Sequence, residues 1–116
     1  MQGVELVHEI ARYAADKKAH DVVELDLRGV VGYTDYFLVC SGNTPRQAKA
    51  IHDAIHEGMK REHGTLPRRV EGSGDGGWIL MDYLDVVAHI FTPQAREFYR
   101  LERLWGEAPA RAASEA

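Results

Sequence analysis

Gly77-Trp78-Ile79-Leu80-Met81-Asp82-Tyr83-Leu84-Asp85-Val86-Val87-Ala88-His89-Ile90-Phe91 decides the fold. Trp78 to Asp82 and Asp85 to Phe91 are dense in β-branched and aromatic residues, the side chains that suit a pleated, half-buried surface. A very short turn joins them, so the stretch predicts two strands folded onto each other. The rim is unusual. Asp82 and Asp85 flank Tyr83 and Leu84, and a tyrosine-leucine turn is not what exposure to water alone selects. On one strand Trp78 and Leu80 share a face with Asp82. Tryptophan and tyrosine among a few acids have the composition of a protein-binding patch, although Trp78 could equally pack inward on a following helix.

Upstream of this hairpin the chain alternates helix and strand. Val4, Val7, Ile10, Ala11 and Ala14 recur at helical spacing. Asp21 to Leu27 then alternates, Val23, Leu25 and Leu27 against Val22, Glu24 and Asp26, which predicts a half-exposed strand. Gly29 to Gly32 breaks it. Tyr36 to Ser41 is apolar almost throughout, the pattern of a central strand covered on both faces. Thr44-Pro45-Arg46-Gln47 opens a helix with an N-cap, a first-turn proline and a capping-box glutamine. Ala48, Ile51, Ile55 and Met59 form its core stripe, and Gly64 suits its C-cap.

Pro67 to Glu71 predicts a short edge strand, where proline is tolerated. Gly72 to Gly77 reads as a loop into the hairpin, and Thr92-Pro93 opens a last helix with Phe98, Leu101 and Leu104 or Trp105 facing inward. Residues 107–116 carry no large apolar side chain and are expected to stay disordered. The order α-β-β-α-β-β-β-α implies an α/β fold: one mixed sheet of about five strands with helices packed on it, in a single domain of residues 1–106.

Composition narrows the function. The 116 residues carry a net charge of −4, so the counterion-release gain of binding a phosphate backbone is missing and direct nucleic-acid binding is disfavoured. A basic protein is the better electrostatic match. No apolar run approaches the roughly 18 residues of a membrane span, and no secretion signal is expected at the start. Cys40 is the only cysteine, which excludes an internal disulfide and suits a reducing compartment. It lies mid-strand, away from any helix start that would activate a thiolate.

Other patterns in the chain resemble chemical motifs. Gly72-Ser73-Gly74-Asp75-Gly76-Gly77 matches G-x-G-x-x-G, but a strand follows it where a dinucleotide site needs a helix. His52 and His56 stand one helical turn apart, as in zinc sites, with Asp53 where a zinc protease has glutamate and no third ligand at a suggestive spacing. His89 reads as a packing histidine. Ser41-Gly42 at a strand-to-helix junction, with Glu24 and Asp26 on one strand face, resembles the phosphate and magnesium sites of nucleotidyltransferases, except that the acids precede the glycine turn.

Thr34-Asp35-Tyr36-Phe37, Ser41-Gly42-Asn43, Gln47, Glu71-Gly72, Trp78 to Tyr83, Asp85 to Phe91 and Arg96 to Trp105, in this order, resemble the ribosomal silencing factor (iojap) family. The match runs through nearly the whole chain to Trp105. Leu84 departs from it, since many members have glycine there. The resemblance implies a nucleotidyltransferase-like topology without catalytic residues, and therefore no enzyme and no cofactor. It further implies binding to the large ribosomal subunit through universal ribosomal protein number fourteen, on the face that meets the small subunit, with repression of translation as the result. A role in large-subunit maturation, a cytoplasmic location and a homodimeric free state also follow from it. Trp78, Leu80, Asp82, Tyr83 and Asp85 are the partner contacts expected on this basis. A nucleotide-binding enzyme using Ser41, Glu24 and Asp26 is the alternative.

Overall fold

The computed structural model describes residues 3–99 and 110–112. The elements run α1 (Gly3–Asp16), β1 (His20–Asp26), β2 (Tyr36–Ser41), α2 (Pro45–His63), β3 (Arg69–Ser73), β4 (Trp78–Asp82), β5 (Val86–Phe91), α3 (Pro93–Tyr99) and β6 (Ala110–Ala112). The six strands form one mixed sheet in the order β3-β4-β5-β2-β1-β6. Only β2 and β5 run parallel, Tyr36 beside Val86 through Ser41 beside Phe91. The other pairs are antiparallel.

The sheet separates two apolar clusters. On one side α1 and α2 pack Val7, Ile10, Ala14, Ile51, Ile55 and Met59 against Leu38, Cys40, Ile79, Met81, Ala88 and Ile90. On the other, Leu25, Leu27, Phe37, Val39, Val87 and Phe91 are buried, with Trp78, Leu80 and Ala95 partly covered against them. β2 and β5 lie at the centre, and every residue in both is buried. The apolar run of the sequence anticipates this.

α2 forms where its punctuation says. Thr44 is extended and its side chain accepts the Gln47 N–H, Pro45 occupies the first turn, and Gly64 closes the helix in the left-handed region at φ 62°. The capping box differs in one bond. Gln47 Oε1 accepts from the Asn43 N–H, one residue earlier than the usual pattern. That rotation frees Gln47 Nε2 to donate to the Lys17 and Lys18 carbonyls at the end of α1, 3.2 Å each. One side chain thus caps two helices. Gln47→Ala is expected to cost about 1–2 kcal/mol in urea unfolding, with Gln47→Glu recovering only part because it cannot donate to those carbonyls.

Four expectations change. Glu24, placed on a half-exposed strand, is buried, because His8 of α1 covers it with Nε2 3.1 Å from its carboxylate. Phe98 points outward, 80% exposed, while Tyr99 packs tilted against Trp78 instead, ring centroids 4.6 Å apart. The remaining apolar positions of the expected last helix, Leu101, Leu104 and Trp105, lie outside the described residues. Within the segment expected to be disordered, Ala110–Ala112 adds a sixth strand, antiparallel to Val23–Leu25. The rest of that segment also lies outside the described residues. Gly72 and Ser73, expected in a loop, belong to the edge strand β3. Gly72 adopts φ 82°, and a Cβ there would drive into the Trp78 carbonyl oxygen.

Candidate functional site: the β4–β5 rim

The turn between β4 and β5 is built by a few directed bonds. The Tyr83 N–H donates to the Val86 carbonyl, 2.8 Å, and the Asp85 N–H to the Tyr83 carbonyl, 3.0 Å. The second bond spans only one residue, Leu84, whose φ is 76°. This is a γ-turn of the rare, strained hand. A leucine there carries a cost on the order of 1–3 kcal/mol.

Asp82 holds the strain in place. Its Oδ1 accepts the Leu84 N–H at 2.8 Å, and its Oδ2 accepts from Arg68 at 2.9 Å. Burial alone would raise the Asp82 carboxyl, but Arg68 and the Leu84 N–H outweigh it and keep it below its ordinary value. From the other side, the Asp85 carbonyl accepts both the Asp35 and the Tyr36 N–H, 3.0 Å each. The rim is therefore fixed to the edge strand through Arg68 and to the start of β2 through Asp85.

The five residues expected to meet a partner are not all on one surface. Asp82 is 3% and Tyr83 6% exposed. Tyr83 enters the cluster under α1 and α2, where burial raises its hydroxyl above the ordinary range. Trp78 and Leu80 lie on the opposite sheet face, each half-buried. Asp85 is exposed. The residue with the most accessible apolar surface at the turn is Leu84, 51% exposed.

Trp78 rests on aromatic support. Its ring stacks on Phe91, with centroids 5.2 Å apart, and its Nε1–H donates to His89 Nδ1 at 3.1 Å. An indole can only donate, so His89 is neutral with its proton on Nε2. Burial pushes the His89 imidazole down to about 3, and its Nε2 has no hydrogen-bond partner among the described residues. His89 therefore packs, as expected, but with only one nitrogen satisfied. Its link to Trp78 was not anticipated. The register that sets Leu80 against His89 could have suggested it, since residues two positions apart on one face meet diagonally.

The groups considered for other chemistry are already engaged. Glu24 pairs with His8, and Asp26 receives a two-pronged hydrogen bond from Arg28 at 2.9 and 2.7 Å. The Ser41 hydroxyl accepts from Arg96 at 2.9 Å. His52 leans on Asp53, Nδ1 to Oδ1 2.9 Å, with its ring 5.9 Å from that of His56. Glu9, Glu62 and His63 come together elsewhere, but Arg12 hydrogen-bonds both carboxylates. Burial pushes the Cys40 thiol up to about 12, which makes it inert. Gly72 to Gly77 runs from the end of β3 into β4, so a strand and not a helix follows the glycines, unlike the order of a dinucleotide site.

Comparison with known proteins agrees with the motif order. Residues 2–116 match the family model described as ribosomal silencing factor during starvation. The chain belongs to the ribosomal silencing factor family. It is 42% identical over 94 residues to the Bacillus subtilis ribosomal silencing factor RsfS, covering 81% of this chain and 79% of that protein. A crystal structure of protein CV0518 from Chromobacterium violaceum superposes with a TM-score of 0.86 at 32% identity, covering 91% of this chain and 88% of the other. A mouse relative named mitochondrial assembly of ribosomal large subunit protein 1 is 30% identical over 94 residues, 77% of this chain but only 40% of that longer protein. The silencing factor fold thus extends through the sheet that carries the rim. Among the described residues no helix is long and apolar enough to cross a membrane.

Proposed function

We propose that the chain represses translation by binding the large ribosomal subunit through universal ribosomal protein number fourteen and physically blocking the small subunit. The proposal needs no catalysis, only a well-placed obstacle. The observation that carries it is the rim: half-buried Trp78 and Leu80 on one sheet face, leading to exposed Leu84 and Asp85 on a turn pinned from both sides. The family description and the large-subunit name of the mouse relative support a ribosomal partner. A cytoplasmic location, a homodimeric free state and a part in large-subunit maturation belong to the same reading.

In this proposal the five expected residues divide their work. Trp78 and Leu80 supply apolar surface and Asp85 meets a lysine or arginine of the partner. Asp82 and Tyr83, being buried, shape the turn that presents the others. The net charge of −4 favours encounter with a basic ribosomal protein.

Mixing purified subunits with increasing amounts of the protein tests the reading. Whole-ribosome formation should fall as the protein reaches parity with large subunits, and undiminished assembly would rule the proposal out. Asp85→Lys should weaken co-sedimentation with large subunits about fivefold, less so at higher salt, as expected for a charge at an interface rim.

A further inference from the structure

We infer that Leu84 is a specificity-determining contact, seating its side chain in an apolar depression of the protein that receives the β4–β5 rim. The inference rests on the ribosome-binding reading above and adds a residue to it. At φ 76° in a γ-turn, leucine occupies a conformation that glycine or asparagine accepts far more readily. Strain of this kind persists only where the surroundings over-determine it. Here they do: the Asp82 carboxylate takes the Leu84 N–H, Arg68 anchors that carboxylate, and the Asp85 carbonyl is bound by two amides of the neighbouring segment.

Strain at a buried leucine would be repaid by core packing. Leu84 receives little of that, since its side chain is half in solvent and it lies in neither apolar cluster. The folded chain alone therefore gives no reason for a leucine at this position. A partner does. A side chain already fixed on a rigid turn loses little freedom on binding, so its apolar surface converts into affinity efficiently. Asp85, next in sequence, is exposed, which places an acid at the edge of the same contact.

Three substitutions test this in the full chain, with unfolding midpoint and co-sedimentation with purified large subunits as readouts. Leu84→Gly relieves the strain and removes the side chain. Its midpoint should rise by about 4 °C while its affinity falls about tenfold. Leu84→Asn, which tolerates the left-handed region, should lose affinity to a similar extent. Leu84→Met keeps apolar bulk and should bind within about twofold of the parent. A more stable protein that binds less well is an outcome that a purely structural leucine does not produce. Gly and Asn variants that bind like the parent, while Asp85→Lys is impaired, would overturn the inference and leave the ribosome-binding reading standing. A parent protein that fails to capture large subunits would overturn both.

Discussion

Trp78→Glu is expected to weaken capture by large ribosomal subunits at least a hundredfold, close to 2.7 kcal/mol. Two effects add. Among the described residues the indole is the largest partly open apolar group on its sheet face, and central aromatic anchors carry a disproportionate share of interface energy. The glutamate also places a charge against Phe91 and leaves His89 Nδ1 without its donor. The second effect reaches the fold itself, and about 2 kcal/mol of stability should go with the binding. Trp78→Phe separates the two. It keeps the ring on Phe91 but not the indole N–H, so it should retain most of the binding while losing part of the stability. Circular dichroism and urea unfolding beside co-sedimentation would show which loss is which. A folded Trp78→Glu protein that still binds would remove Trp78 from the interface.

The second large effect is on stability at mildly acid pH. His89 has its folded pKa pushed down by burial to about 3, against an ordinary value of 6.5. Between those values the unfolded chain takes up a proton that the folded one refuses. Stability is therefore fully present above about pH 6.5 and falls as the pH drops, by about 1.4 kcal/mol per unit, or about 2 kcal/mol by pH 5. Asp82 works in the same direction at lower pH, since its carboxyl is held below its ordinary value and its contribution is lost as acid protonates it. His89→Asn is the informative variant. Its amide oxygen can still accept from Trp78 Nε1–H, but it does not titrate. The urea midpoint of that variant should change little between pH 7 and pH 5, while the parent's falls. Parallel falls in both would place the acid sensitivity elsewhere.

Local chemistry made most of the fold legible. β2 and α2 were readable to within a residue because their signals sit inside the segments: an unbroken apolar run for one, a threonine-proline start and a glycine stop for the other. What the sequence hid depends on distant partners. Glu24 reads as surface until His8 is brought over it by α1. Ala110–Ala112 lacks the β-branched residues of a strand and pairs only because β1 offers an open edge. At the rim the two acids were visible, but the direction of Tyr83 was not. Strand alternation carries on through Tyr83, which shares the helix-covered face with Ile79 and Met81, but a tyrosine between two acids reads as part of an exposed turn. No spacing rule reports a single residue in the left-handed region.

The lone parallel pair at the centre of the sheet imposes an order on assembly. β2 is made early, yet its neighbour β5 follows only after α2, β3 and β4 have been synthesised. Until then one edge of an almost wholly apolar strand lies open, so a nascent chain is exposed to mispairing while residues 42–91 are made. The rim needs the same late event, because the Asp85 carbonyl finds its amides only when β5 docks beside β2. A chain still being synthesised thus lacks the finished rim, which topology makes one of the last features of the sheet to form.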